Sequence, residues 1–282
     1  MILYVAGGVK RERSDAIAAG AGLLGRLVSY AEPGAEAAAV RLADAGRLVF
    51  MDSGAYSVWK SGRTVDLLGY IRLLRDHGRR FVGCAALDVI GDPDASDRNW
   101  RTMRDEGLDV WPAHHQGTPT DHLRRLLDDG ARSVAFGGLV AGAWGRNGGR
   151  NIDHNERRRM LDDAFAVLER HWPIRVHAFG VTSQWILERY PIFSADSTAA
   201  FMGAAFGDVH EFVGSRYVAS GECKYLTRGA SATEHPGTVD GICEPGQARL
   251  NREAVNYDAL RRYERYLTDL WAVRGVVWEG AG

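Results

Sequence analysis

Short apolar runs recur along the chain at 2–6, 48–51, 81–87, 110–113, 133–136, 175–179 and 191–195, with a weaker eighth candidate at 212–219. Runs of this length without polar alternation read as strands buried on both faces, the habit of parallel sheets. Segments with helical spacing lie between them, among them Asp66 to Arg75 and Asp121 to Leu127. The stretch from Asp153 to His171 opens on a capping-box pattern, Asp153 followed by Glu156, and carries an apolar stripe of Met160, Leu161, Ala164 and Leu168. Strands alternating with helices fold as parallel βα units. The expected fold is therefore α/β, a single (β/α)8 barrel of the TIM type, a size of chain that such barrels commonly reach. Beyond it, Tyr257, Leu260, Tyr263, Tyr266, Leu267, Leu270 and Trp271 predict a long amphipathic helix packed against the barrel wall. No Pro/Ser linker or repeat marks a boundary, so 1–282 reads as one domain with a C-terminal helical portion over 245–282.

Four of the runs end on chemically capable groups: Asp52, Asp88, the pair His115-Gln116, and Asp196. In a barrel of parallel strands the residues just past the strand ends line one common face, so carboxylates far apart in sequence meet in space. Local readings compete at each position. Asp196 suits the cap of a helix begun by Ser197, and Asp52 suits an Asx turn with Ser53 and Gly54. Asp92 and Asp94 lie close to Asp88, Gly137-Gly138 suits a tight βα turn, and Tyr56 and Phe179 serve equally as core or as stacking platforms. His114 and His115 are adjacent on a strand and point to opposite faces, which makes them a poor chelate.

With 35 basic and 36 acidic side chains the net charge is −1, so no global basic field announces a polyanion partner and any such site is local. The densest basic stretch joins Arg146 and Arg150, in the glycine-rich loop 145–151, to Arg157, Arg158 and Arg159, which also read as the solvated face of a helix. The three cysteines, Cys84, Cys223 and Cys243, form no paired framework, and the N-terminal residues lack a basic leader followed by a long apolar stretch. A reduced, cytoplasmic protein with no membrane segment is expected. Cys223, His235 and Cys243 are separated by gaps too long for a usual zinc site, so no metal or other cofactor is expected.

Five segments in order carry a family resemblance: Met51-Asp52-Ser53-Gly54-Ala55-Tyr56-Ser57; His115-Gln116-Gly117; Phe136-Gly137-Gly138-Leu139-Val140-Ala141-Gly142; His177-Ala178-Phe179-Gly180-Val181-Thr182; and Phe193-Ser194-Ala195-Asp196-Ser197. Together they resemble the queuine tRNA-ribosyltransferase (tRNA-guanine transglycosylase) superfamily, over residues 48 to 200. The Asp-Ser-Gly-Ala-Tyr-Ser variant looks most like the phage and bacterial DNA 7-deazaguanine transglycosylases, the DpdA group. The resemblance implies a pentosyltransferase that exchanges guanine in DNA for a 7-deazaguanine through a covalent Asp-glycosyl intermediate. It makes Asp196 the nucleophile and Asp52 the acid/base. Asp88, Ser53, Tyr56, His115, Gln116, Gly137, Gly138 and Phe179 would bind the base, while Arg146 and Arg150, read from their basic glycine-rich loop and not from the resemblance, would take the phosphates. Breaking a bond from a base to C1′ builds oxocarbenium character, which a carboxylate under the sugar stabilises or traps.

The implied partners are DNA, with tRNA as the alternative, and a free base such as 7-cyano-7-deazaguanine. The reading leaves room for a homodimer. A stacked guanine must be flipped out of a duplex, and Trp144 and Trp59 are candidates to stack on its neighbours. Two departures matter: the Cys-x-Cys-x-x-Cys zinc run of the tRNA enzymes is missing, and Ala143-Trp144 stands where the family has glutamate. The first favours DNA over tRNA. A non-catalytic nucleic-acid-binding subunit and a small-molecule hydrolase are the readings from other classes.

Overall fold

The computed structural model describes residues 1–139, 154–220 and 248–278. Eight strands form one parallel sheet: β1 (Ile2–Ala6), β2 (Gly25–Ser29), β3 (Leu48–Asp52), β4 (Gly83–Cys84), β5 (Ala113–His115), β6 (Ser133–Gly137), β7 (Arg175–Ala178) and β8 (Ser194–Ser197). Their order is β4-β3-β2-β1-β8-β7-β6-β5. A parallel bridge from Ala85 to Trp111 joins the two ends, with Trp111 N donating to Cys84 O at 2.8 Å and Ala86 N to Trp111 O at 2.9 Å. The sheet is thus a (β/α)8 barrel of the TIM type, as the alternation of runs predicts.

The helices are α1 (Glu12–Gly20), α2 (Ala35–Asp44), α3 (Ala55–Ser61), α4 (Leu67–His77), α5 (Pro93–Asp105), α6 (Thr120–Asp128), α7 (His154–Leu168), α8 (Gln184–Leu187), α9 (Ala199–Phe206) and α10 (Ala248–Val273). Each long one turns an apolar stripe to the sheet, as α4 does with Tyr70, Ile71, Leu73 and Leu74. The α7 stripe of Leu161, Ala164 and Leu168 is buried as its spacing requires, but Arg157 turns inward with it and is buried too. Only Arg158 and Arg159 form the solvated face expected of all three, and Arg158 lies 3.6 Å from Asp162.

One strand differs from expectation. The segment at 212–219 does not enter the barrel: β9 (Val209–Val213) and β10 (Arg216–Ser220) pair with each other as an antiparallel hairpin. The missing barrel strand is β2, Gly25-Arg26-Leu27-Val28-Ser29, whose apolar run is broken by a wholly buried arginine. Arg26 pairs in register with the outward Val5, and its Nε lies 3.7 Å from Asp15 of α1. A charge in mid-strand is tolerated here because a buried carboxylate meets it.

Residues paired across a parallel sheet share a face. The pairs Tyr4↔Asp196, His177↔Ser194, Ala135↔His177, His115↔Gly137, Leu27↔Phe50 and Ser29↔Asp52 trace the inner face. Its middle is aromatic. Phe50 stacks on His177 with centroids 4.1 Å apart and 14° between planes, and meets the edge of Trp111 at 5.4 Å and the ring of Tyr4 at 5.7 Å. Removing Phe50 from such a core would cost about 3–5 kcal/mol.

The expected C-terminal helix is α10. Tyr257, Leu260, Tyr263, Leu267 and Trp271 are buried, Tyr266 packs at the edge of that core, and the helix covers α1, α9 and the first residues of β1. Glu264 accepts a hydrogen bond from Leu3 N at 2.8 Å, and Asn256 donates to Ala200 O at 2.9 Å. No helix of the described residues is long and apolar enough to cross a membrane.

Candidate active site at the barrel mouth

The C-terminal ends of the strands bring Asp52, Asp88, His115, Gly137 and Asp196 to one mouth. Asp52 ends β3 and faces inward beside Ser29. Burial, then the neighbouring Asp88 and Asp196 carboxylates, push the Asp52 carboxyl up to about 8, against the pull of the Gly54 amide and the Ser29 hydroxyl. Like charges gathered in a poorly solvated mouth keep one of their number protonated at neutral pH. The contact with the Gly54 amide is the Asx turn that the sequence allows, so Asp52 serves the turn and faces the other carboxylates at once. Gly54 has φ 82°, and a Cβ there would come within 2.4 Å of Ala31 Cβ, so only glycine lets the chain leave β3 this way.

Asp88 lies just past β4. His115 Nε2 is 2.8 Å from its Oδ2, and Ser53 Oγ donates to its Oδ1 at 3.1 Å. Both donors come from residues assigned to base binding. Asp92 instead caps α5, accepting from Ala95 N at 2.9 Å, which leaves Asp88 as the carboxylate of that segment that reaches the mouth. The His115 ring lies over Gly137, where an added Cβ would meet Nδ1 at 2.4 Å. Glycine at 137 is therefore required by the imidazole, and the turn's left-handed position falls to Gly138 at φ 78°.

Asp196, on β8, is 7% exposed. It does not cap α9: Thr198 is the N-cap residue, and Ser197 Oγ accepts from Ala199 N at 3.0 Å just before it. The Asp196 side chain turns inward and its Oδ1 accepts from Gly180 N at 2.9 Å. His177 Nε2 lies 3.3 Å from the same oxygen, and His177 Nδ1 is 2.9 Å from Ser194 Oγ. No hydrogen bond reaches Oδ2 from the described residues.

Buried groups here that lack hydrogen-bond partners among the described residues include His115 Nδ1, both ends of the Gln116 amide, His177 Nε2, the Tyr4 hydroxyl and Ser29 Oγ. Native interiors leave few such groups, and their concentration at one strand-end cluster marks a place built for a ligand. Phe179 packs its edge on Phe50 and His177 at 6.1 and 4.7 Å, partly exposed at the rim. Tyr56 stands half-exposed on α3, its ring centroid 6.1 Å from that of Trp59.

His114 points outward, as the alternation predicts, into the helix layer. Its Nδ1 lies 3.2 Å from His122 Nδ1, and His122 Nε2 lies 2.8 Å from Asp97 Oδ1. No three His, Cys, Asp or Glu side chains of the described residues converge as metal ligands. Arg146, Arg150, Trp144, Cys223, His235 and Cys243 lie outside the described residues.

Sequence reasoning assigned no role to His177 and Ser194, although both stand inside segments that carry the family resemblance. The signal that could have found them is the inward period of the strands: counting back two residues from Phe179 and from Asp196 reaches each of them.

No protein-family model and no curated protein sequence matches the chain. Solved structures resemble it at low identity. A variant of the tryptophan synthase alpha-subunit from Pyrococcus furiosus is 12% identical with a TM-score of 0.49, covering 73% of this chain and 89% of its own. A tryptophan synthase from M. tuberculosis is 15% identical with a TM-score of 0.45, covering 92% and 91%. A 4-hydroxy-2-oxoglutarate aldolase is 10% identical with a TM-score of 0.43, covering 92% and 93%. Such likeness bears on the barrel alone, and one barrel hosts many chemistries.

Proposed function

We propose that this chain is a pentosyltransferase that exchanges a guanine base in DNA for a 7-deazaguanine by double displacement at the barrel mouth. One observation carries the reading. Two carboxylates of the mouth stand in opposite conditions: Asp196 accepts the Gly180 amide with one oxygen and leaves the other open, while Asp52 is held protonated by burial and by its acidic neighbours. A carboxyl held protonated beside a carboxylate oxygen left open suits an acid and a nucleophile acting together.

In the first half-reaction an Asp196 oxygen attacks C1′ of the deoxyribose. The C1′–N9 electron pair leaves with guanine, which takes the proton of Asp52. The products are a glycosyl ester on Asp196, free guanine and an Asp52 carboxylate. In the second, Asp52 accepts the N9 proton of the incoming 7-deazaguanine, whose nitrogen attacks C1′ and expels the Asp196 carboxylate. Asp88, Gln116 and the Gly137-Gly138 backbone would read the polar edge of the base, with Ser53 and His115 holding Asp88. Tyr56 and Phe179 at the rim would bound its flat faces. Arg146 and Arg150 would take phosphates. DNA is preferred to tRNA because the sequence has no Cys-x-Cys-x-x-Cys run.

The test is nucleoside mass spectrometry of DNA and tRNA from cells expressing the protein beside a 7-deazaguanine pathway. A 7-deazaguanine nucleoside in DNA is the expected result. Its appearance in tRNA alone would reassign the substrate, and its absence from both would overturn the reading.

A further inference from the structure

The proposed chemistry leaves one buried titratable group unused. His177 is wholly buried on the inner face of β7, directly beneath the mouth. Its ring is clamped by the stack on Phe50, by the Phe179 edge at 4.7 Å and by Tyr4 at 5.9 Å, so it has little freedom to turn. Its two nitrogens face different partners: Nδ1 the Ser194 hydroxyl at 2.9 Å, Nε2 the Asp196 carboxylate at 3.3 Å.

The partners fix the tautomer. Were the proton on Nδ1, the Nε2 lone pair would face a carboxylate oxygen, a repulsive contact inside a poorly solvated barrel. With the proton on Nε2, Ser194 Oγ–H donates to Nδ1 and Nε2–H points toward Asp196. This N–H is close to Oδ1 but not aligned with it, and it has no other partner among the described residues. A buried donor left unpaired is costly. That cost is relieved by a small rotation of the Asp196 carboxyl, the kind of tightening that catalytic contacts undergo when substrate binds.

Resting on the reading of Asp196 as the nucleophile, we propose that His177 is a positioning residue, which holds Asp196 Oδ1 through Nε2–H, together with the Gly180 amide, so that Oδ2 is the oxygen that attacks C1′. Two donors on one oxygen set the plane of the carboxylate. Ser194 acts one step further back by keeping the proton on Nε2. A stacked, fixed imidazole suits this task better than a flexible donor, because its position is set by the aromatic floor of the barrel.

Two measurements test this, one of them independent of activity. Long-range 15N–1H NMR on the protein with 15N-labelled histidine is expected to show His177 protonated at Nε2 with Nδ1 as acceptor, and Asp196→Asn is expected to shift the Nε2 signal while sparing the Nδ1 signal. A His177 protonated on Nδ1, or one whose Nε2 signal ignores Asp196→Asn, overturns the proposal whether or not the protein exchanges bases. The second measurement compares His177→Phe, which keeps an aromatic ring on Phe50 without a donor, with His177→Gln, which restores an N–H at similar reach. With circular dichroism confirming the fold, the rate of glycosyl-enzyme formation should fall by about 10- to 100-fold in the Phe variant and recover in the Gln variant, with DNA affinity unchanged. Equal rates in wild type and the Phe variant overturn the proposal. If the expected tautomer is found but wild type forms no adduct, the proposed function falls and the anchoring of Asp196 stands.

Discussion

His114 and His115 are neighbours on one strand and end in opposite circumstances. His114 faces the helix layer, where it meets His122, which meets Asp97, in a chain of contacts closed within the fold. Burial, then His122 and His115, push its pKa down to about 3, so the ring is neutral. His115 faces the mouth, gives Nε2 to Asp88 and keeps Nδ1 buried without a partner. Both regions are polar and enclosed. What separates them is saturation: the helix layer uses its hydrogen-bonding capacity to hold β5 against α5 and α6, while the mouth keeps capacity in reserve. Enclosure by itself therefore does not identify a site. In the mouth, enclosure comes with open valence on groups that converge on carboxylates from distant strand ends.

The sharpest way to break this contrast is Asp196→Asn. Substitution in the mouth should abolish base exchange and any denaturation-resistant enzyme–DNA adduct while leaving the thermal midpoint within a few degrees of wild type, because no core packing is lost. Retained activity in a folded variant would end the covalent mechanism. Asp52→Asn comes next. Loss of proton transfer should reduce the exchange rate by about 10²- to 10⁴-fold, read by steady-state incorporation of labelled guanine into DNA. An unaffected rate would leave Asp52 as a turn residue only.

The helix layer should respond the other way. His122→Ala strands His114 Nδ1 and Asp97 in a buried place, and should lower stability by about 1–3 kcal/mol in denaturant titrations. Activity per folded molecule should stay at the wild-type level. A variant that keeps its stability but loses activity would join this layer to the site and erase the distinction.

The smallest net effect is in the pH dependence of stability, because the two regions act with opposite sign and oppose each other where their windows overlap. Asp52 is raised from 3.8 to about 8, so the folded protein holds a proton that the unfolded chain releases, and stability falls as pH rises through that window. His114 is lowered from 6.5 to about 3, so the unfolded chain binds a proton that the fold refuses, and stability falls as pH drops through that window. Each group contributes a slope of up to about 1.4 kcal/mol per pH unit. Asp52→Asn should remove the fall in stability from pH 6.5 to about 8 and His114→Gln the fall from pH 3.8 to about 3, while between 3.8 and 6.5, where the two slopes oppose, each substitution should unmask the slope of the other group. Chemical denaturation of the three proteins across pH checks both signs. A limb unchanged by its own substitution refutes the corresponding assignment.

Much of the barrel could be read from the chain because local composition carries it. Leu48-Val49-Phe50-Met51 or Ser133-Val134-Ala135-Phe136 can hardly be anything but a strand buried on both faces. The strand Gly25–Ser29 escaped because its charge is satisfied by Asp15, eleven residues earlier on a helix, and no window of sequence shows that. The hairpin at 209–220 was strand-like in composition, but which strand it pairs with is a question of distant geometry. At the site, Asp52, Asp88, His115 and Asp196 were legible as strand-end residues, and the alternation of side chains along β5 separated His115 from His114 in advance.

The sequence by itself determined seven of the eight barrel strands, which strand ends carry carboxylates and that His114 and His115 take opposite faces, since these follow from short-range periodicity and composition. Only the tertiary structure decided that Asp88 is held by Ser53 and His115, that Asp196 turns inward to the Gly180 amide rather than capping α9, that Arg157 is buried, and that His177 stands on Phe50 beneath Asp196. Most of these facts depend on pairs brought together by barrel closure, where the register of one strand against the next sets distances of a few ångströms. The raised pKa of Asp52 belongs with them, because burial and the fields of Asp88 and Asp196 exist only once three distant strand ends share a mouth.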